Sequence, residues 1–139
     1  MTVLVLAEHE EGRIKDATLA TVTAAQKLGA VHLLVAGQGV DAVAQAAAQI
    51  DGVEKVLVAD DAAYAESLAE NVAALVVPLM ANYDAFLANA TAAGKNVAPR
   101  VAALLDVMQV SDILSVEGPD SFTRPPTSLS RNWPQVWVR

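Results

Sequence analysis

Short apolar runs alternate along the chain with longer stretches whose apolar residues recur at helical spacing. Thr2–Ala7 reads as a buried strand that stops at the polar turn Glu8-His9-Glu10-Glu11-Gly12. Asp16 or Thr18 opens a helix carrying Leu19, Val22, Thr23 and Gln26, and Gly29 closes it. Val31–Ala36 is a second strand. Gly37-Gln38-Gly39 follows, then an alanine-rich helix with Val43, Ala47 and Ile50 on its apolar face. After the turn Asp51-Gly52, a third strand covers Val53 and Lys55–Ala59 and ends at Asp60-Asp61.

The interval 62–82 predicts another helix with Leu68, Val72, Leu75 and Leu79 toward the core. Pro78 has no amide to donate, so an irregularity is expected there. A fourth strand, Ala85–Ala88, leads to the polar glycine turn Gly94-Lys95-Asn96. Pro99 then stands near a helix start, and Val101, Leu104, Leu105 and Met108 repeat at core-facing spacing. Ile113–Val116 follows as a strand, and Ser121–Arg124 is one more candidate before Pro125-Pro126.

Strands that regularly precede helices imply an α/β fold: one doubly wound, mostly parallel sheet with helices on both faces. Residues 1–125 form the expected domain and 126–139 an atypical tail. For that tail, an irregular segment, a docking strand or segment, and a terminus foreign to the parent fold stay open. Trp133 and Trp137 are candidates to dock on a partner or to fill a local core.

Hydrophobic residues make up 54% of the 139, which excludes a wholly disordered chain. Much of that fraction is alanine, so close helix-to-sheet approach is expected rather than a core of large aromatics. A net charge of −7 argues against a general nucleic-acid surface. The absence of cysteine removes disulfides, thiolate chemistry and cysteine-ligated metal. Met1–Leu6 is too short to span a bilayer and carries no basic signal region, so a soluble intracellular protein is expected.

The chemistry in these turns is sparse. If the strand ends share one crevice, Glu8-His9-Glu10-Glu11, Gly37-Gln38-Gly39 and Asp60-Asp61 meet at the carboxyl edge of the sheet. Neither GxGxxG nor GxxxxGK[ST] is present, so Gly37 and Gly39 read as turn residues ahead of a nucleotide loop. His9 beside carboxylates is a base or ligand in principle, with an exposed turn as the simpler reading. His32 reads as a packed strand residue, and Asp60-Asp61 as a solvated strand end. Ser121, Ser128 and Ser130 lack a nucleophile elbow or an assignable histidine partner, which argues against autonomous hydrolysis. Lys95 and Arg100 have the best local context for a phosphate or acidic partner, with an ordered crossover as the alternative. Asn96 is placed to cap the helix or orient either cation. Asp112 is an acceptor at the next strand entry.

Taken in order, Thr2–His9, Gly52–Ala59, Gly94–Val107, Ser111–Ile113 and Asp120–Pro125 resemble the amino-terminal domain of the electron transfer flavoprotein alpha subunit over about residues 2–125. The resemblance implies a Rossmann-like domain within an alpha–beta heterodimer. Such assemblies carry electrons through FAD, from acyl-CoA or other dehydrogenases to a quinone oxidoreductase or related acceptor. FAD is expected in the complete assembly and not in the isolated chain, with AMP expected only in a beta-like partner. The expected compartment is the cytoplasm for a bacterial protein and the mitochondrial matrix for a eukaryotic one. No FAD-binding residue carries over, and after Pro125 the sequence departs from the family's tyrosine-alanine-glycine-asparagine-like continuation. The open alternatives are a non-redox nucleotide-binding or regulatory domain and an inactive structural fragment.

Overall fold

The first strand of the chain is the centre of the sheet. The computed structural model describes residues 2–65, 69–89, 91–107, 109–110, 115–118, 121–123 and 134–138; for 92–95 and from 109 on, the backbone alone is described. Strand β1 (Thr2–Leu6) lies between β4 (Ala30–Gly37) and β6 (Ala85–Asn89), parallel to both. β5 (Val53–Asp60) pairs parallel with β4 at the outer edge. Between β1 and β4 come a two-residue-per-strand hairpin, β2 (His9–Glu10) and β3 (Arg13–Ile14), and then helix α1 (Asp16–Gln26). Helix α2 (Asp41–Ala48) links β4 to β5, and α3 (Ala69–Leu79) precedes β6. Helix α4 (Ala92–Leu105) follows β6.

Alternation along the buried strands builds two cores. Val3, Val5, Val31, Leu33, Val35 and Leu87 pack with Val22 and Ala25 of α1 and Val43 and Ala47 of α2. Leu4, Leu6, Leu34 and Phe86 point the other way, against Val72 and Val76 of α3 and Val97 and Val101 of α4. Each face is therefore covered by its own helix pair, which is the expected α/β, doubly wound arrangement.

The four parallel strands β1, β4, β5 and β6 fall where the apolar runs placed them, whereas the expected polar turn after β1 carries the β2–β3 hairpin, and later elements differ as well. Residues 94–96 are helical: α4 begins at Ala92 and takes in Gly94, Lys95, Asn96 and Pro99. Pro99 is exposed, while Val97, Ala98, Val101 and Ala102 on the same helix are buried. Burial of that stripe outweighs the helix cost of about 1 kcal/mol for glycine and about 3 kcal/mol for proline. Leu104 falls beside the stripe and is 65% exposed, so it is not a core residue. Leu68 and Met108 lie outside the described residues. In 62–82, a 3₁₀ turn at Ala62–Tyr64 precedes α3, and a second at Met80–Asn82 follows it. Pro78 sits in the last turn of α3, so the irregularity comes just beyond it.

Of the strand expected at Ile113–Val116, Ile113 and Leu114 lie outside the described residues. Strand β8 (Ser115–Gly118) pairs antiparallel with β9 (Ser121–Thr123) in a separate ribbon instead of extending the parallel sheet. The place beside β6 belongs to β10 (Pro134–Val138), antiparallel to β6 and to β7 (Gln109–Val110). Ser111, Asp112, Arg124, the proline pair, Ser128, Ser130 and Trp133 lie outside the described residues. No helix among the described residues is long and apolar enough to cross a membrane.

Candidate functional site

The parallel order β5-β4-β1-β6 reverses direction at β1, so the chain leaves a crevice where the carboxyl ends of β1 and β6 diverge. A buried polar network occupies it. Thr18 and Thr21 stand on the buried side of α1, and Asn89 ends β6; all three are fully buried. The Thr18 hydroxyl accepts from the Glu8 backbone N–H at 2.9 Å and from Asn89 Nδ2 at 3.3 Å, and donates to the Glu8 carbonyl at 3.2 Å. Thr21 Oγ1 lies 2.6 Å from Asn89 Oδ1 and 2.9 Å from the Ala17 carbonyl, so its one proton is shared between them. The network ties helix, first loop and fourth parallel strand together.

The Glu8 side chain crosses the same divide. Thr91, at the start of α4, donates its hydroxyl to Glu8 Oε1. Glu8 Oε2 is buried and has no hydrogen-bond partner among the described residues. A cavity of about 210 Å³ opens here, with Glu8, His9 and Lys15 as its polar lining and Leu6, Val72 and Val97 among its apolar walls. His9 donates from Nε2 to the Ala36 carbonyl at 2.9 Å, which fixes the ring against the end of β4. Gly37 permits that approach: a Cβ there would meet His9 Cε1 at 3.0 Å and Val40 Cγ1 at 2.7 Å. Lys15 is 45% exposed, its ammonium 3.8 Å from Glu10.

Other sequence candidates serve local structure. Asp60 accepts from the Gly39 N–H at 2.9 Å and holds the β4–α2 turn, where Gly39 has φ +67°. Asp61 caps the following 3₁₀ turn by accepting from the Ala63 N–H. His32, in the amino half of β4, hydrogen-bonds Tyr83 through Nδ1 at 2.8 Å and stands edge-on to its ring. Burial pushes the Tyr83 phenol above its ordinary value. No group of three or more metal-ligating side chains occurs among the described residues.

Asn96 and Arg100 lie on the outer side of α4, apart from the Glu8 cavity. Arg100 Nε donates to Asn96 Oδ1 at 3.4 Å, so Asn96 orients the cation and does not cap the helix. Arg100, with Glu70, Ala73, Ala103 and Leu104, lines a groove of about 320 Å³. Lys95 belongs to the first turns of α4, and its side chain is outside the described set. Sequence reading missed Thr21, Asn89 and Thr91. The available signal was a polar residue closing a wholly apolar strand and a second threonine one helical turn after Thr18.

A family model for the electron transfer flavoprotein domain matches residues 3–129. Electron transfer flavoprotein subunit alpha of Pseudomonas aeruginosa is 58% identical over 126 residues, covering 90% of this chain and 41% of its own length. The subunit alpha of Paracoccus denitrificans is 50% identical over 126 residues, with the same coverage of 90% and 41%. The mitochondrial subunit alpha of Arabidopsis thaliana is 45% identical over 133 residues, covering 90% of this chain and 37% of its own length. The chain thus spans about two fifths of the length of the relatives it matches.

Proposed function

The chain belongs to the electron transfer flavoprotein family, in which it corresponds to the amino-terminal domain of the alpha subunit, and from that premise we propose that it serves as the alpha-side component of a heterodimeric electron carrier. The beta subunit is the partner. The complete assembly takes electrons from acyl-CoA or other dehydrogenases through FAD and delivers them to a quinone oxidoreductase or related acceptor. It works in the cytoplasm of a bacterium or, in a eukaryote, in the mitochondrial matrix. The observation that carries this reading is the family match over 3–129, which spans both cores of the sheet.

FAD belongs to the assembly rather than to the carboxyl edge seen here. A dinucleotide needs backbone N–H groups and a helix start free of competing anions for its pyrophosphate. Here the first turn runs into a hairpin carrying Glu10, and Asp16 occupies the first turn of α1. The cavity of about 210 Å³ is also below the roughly 300–1,000 Å³ of pockets that bury drug-sized ligands. These residues do not fit a flavin dinucleotide. The same features give no support to a nucleotide-binding alternative.

The domain's contribution is a rigid scaffold that presents surface to its partner. Arg100, oriented by Asn96 and preceded by Lys95, supplies the cationic part of that surface, and the exposed Leu104 supplies an apolar part. Co-expression with a family beta subunit, followed by intact-complex mass spectrometry and flavin absorbance, tests the reading. A complex containing FAD that an acyl-CoA dehydrogenase reduces is the expected result. A 14.5 kDa monomer without flavin, under conditions where the beta subunit is folded, would overturn it.

A further inference from the structure

Among the described residues, five of the six strands of the main sheet (β1, β4, β5, β6 and β7) lie within the region 3–129 shared with the family. The sixth, β10, lies wholly beyond it. It nevertheless holds an interior place, between β6 and β7 and antiparallel to both. Val136 stands opposite Leu87 on one side and Val110 on the other, and Trp137 opposite Phe86 and Gln109. Along β6 the pairing covers the whole strand, from Pro134 against Asn89 to Val138 against Ala85.

The place that β10 fills has a floor and two walls of its own. The floor is the edge of β6, a strand buried at every position. Helices α1 and α4, one from each face of the sheet, come close to β10 and form the walls. Among the described residues β7 joins this sheet through β10 alone, so an empty slot would leave one side of β6 without ladder partners. Unpaired N–H and C=O groups along a buried strand are a template for another strand. Charge adds to the fit: all 16 acidic residues precede residue 126, whereas 126–139 carries Arg131 and Arg139. Among the described residues, both cores are built from side chains between Val3 and Val107, upstream of this segment.

We infer that the slot between β6 and β7 is a strand-binding site and that β10 is its ligand in cis, a detachable closing strand outside the cooperative fold. The site takes an extended, cationic segment bearing valine and tryptophan, in antiparallel register. Main-chain hydrogen bonds supply the affinity, as in other cases of strand addition to a sheet edge. While the tail is docked, the edge of β6 is closed to other chains. When it leaves, the slot accepts the same segment in trans, and the tail of a second copy is the occupant with matching chemistry. The site depends neither on FAD nor on a beta subunit.

Both tryptophans of the chain, Trp133 and Trp137, are in the tail, so tryptophan fluorescence of the 139-residue protein follows the tail alone. In a urea titration the fluorescence transition is expected at lower urea than the far-ultraviolet circular dichroism transition, because a detachable strand leaves first. Coincident transitions, or no fluorescence transition at all, overturn the inference. Val136→Pro removes the amide of a residue paired on both sides. The full-length variant is expected to keep the wild-type circular dichroism while its slot is vacated. A fluorescein-labelled peptide of residues 130–139, followed by anisotropy, then binds the variant saturably. It binds the wild-type chain at least about tenfold more weakly, because the tethered tail competes at high effective concentration. The same peptide carrying the proline binds neither chain. Loss of the folded circular dichroism in Val136→Pro would overturn the claim that β10 is detachable. Equal affinity for variant and wild type, or no saturable binding to the folded variant at about 1 mM peptide, would overturn the strand-binding site.

Discussion

Replacing Thr18 by valine isolates the energetic weight of the network at the strand divide. The two side chains have nearly the same shape, so the change removes a hydroxyl without opening a large void. In the native protein that hydroxyl accepts from the Glu8 backbone N–H and from Asn89 Nδ2. With Thr18 and Asn89 both fully buried, water does not replace it. Each buried donor left unpaired costs about 1–3 kcal/mol, so Thr18→Val is expected to cost about 2–4 kcal/mol in total. That is a large part of the roughly 5–15 kcal/mol that stabilises a domain. In urea, with a slope of about 2 kcal/mol per M, the unfolding midpoint falls by about 1–2 M. Thr23→Val is the control: Thr23 is on the exposed side of the same helix and its hydroxyl donates to the Leu19 carbonyl one turn back. Its effect is expected within about 0.5 kcal/mol, as for other surface changes. A Thr18→Val midpoint indistinguishable from that of Thr23→Val would refute the claim that this network holds α1 to the loop after β1 and to β6.

The two sides of α4 are expected to respond differently. Val101→Ala costs about 1.5–3 kcal/mol in urea denaturation because Val101 is fully buried, whereas Leu104→Ala stays within about 0.5 kcal/mol. Gly37→Ala is expected to cost about 1–3 kcal/mol, since the added methyl meets Val40 and the His9 ring; a wild-type midpoint would contradict the close approach. The raised Tyr83 value also has a sign: the unfolded phenol ionises first, so its stabilising contribution is complete below the ordinary phenol value of 10.0 and is lost as pH rises through the folded value. Wild-type stability should therefore fall more steeply above that pH than Tyr83→Phe stability, as read from urea midpoints across the alkaline range. Arg100→Glu should leave the midpoint within about 0.5 kcal/mol of wild type while reducing co-purification with the beta subunit. Unchanged recovery of the complex would remove Arg100 from the proposed contact surface.

How much was legible in the sequence follows from which interactions are local. Val31–Ala36 and Ala85–Ala88 announce strands because runs buried on both faces need no outward polar positions. The helix around Pro99 was harder to place. Glycine and proline are strong local breakers, but the packing of Val97 and Val101 against Phe86 is a tertiary fact that appears only when β6 and α4 meet. Asn89 and Thr21 are 68 residues apart, so no spacing rule joins them. Glu8 was visible as one carboxylate among several. Its distinction depends on Thr91 filling one oxygen and leaving the other buried, which no pattern along the chain encodes.

Because the earliest strand is the innermost one, the order of synthesis and the order of burial do not coincide. By the time Asp60 has been made, β1, β4 and β5 can pair and α1 and α2 can cover their first face. Leu4, Leu6 and Leu34 on the opposite face have no cover until α3, and then α4, leave the ribosome. At about 5–20 residues per second the nascent chain carries that bare apolar face for roughly two to nine seconds, the time to reach Leu105. The protein therefore depends on its cellular surroundings most while it is half made, and substitutions that delay α3 or α4 should lower yield more than they lower the stability of the finished fold.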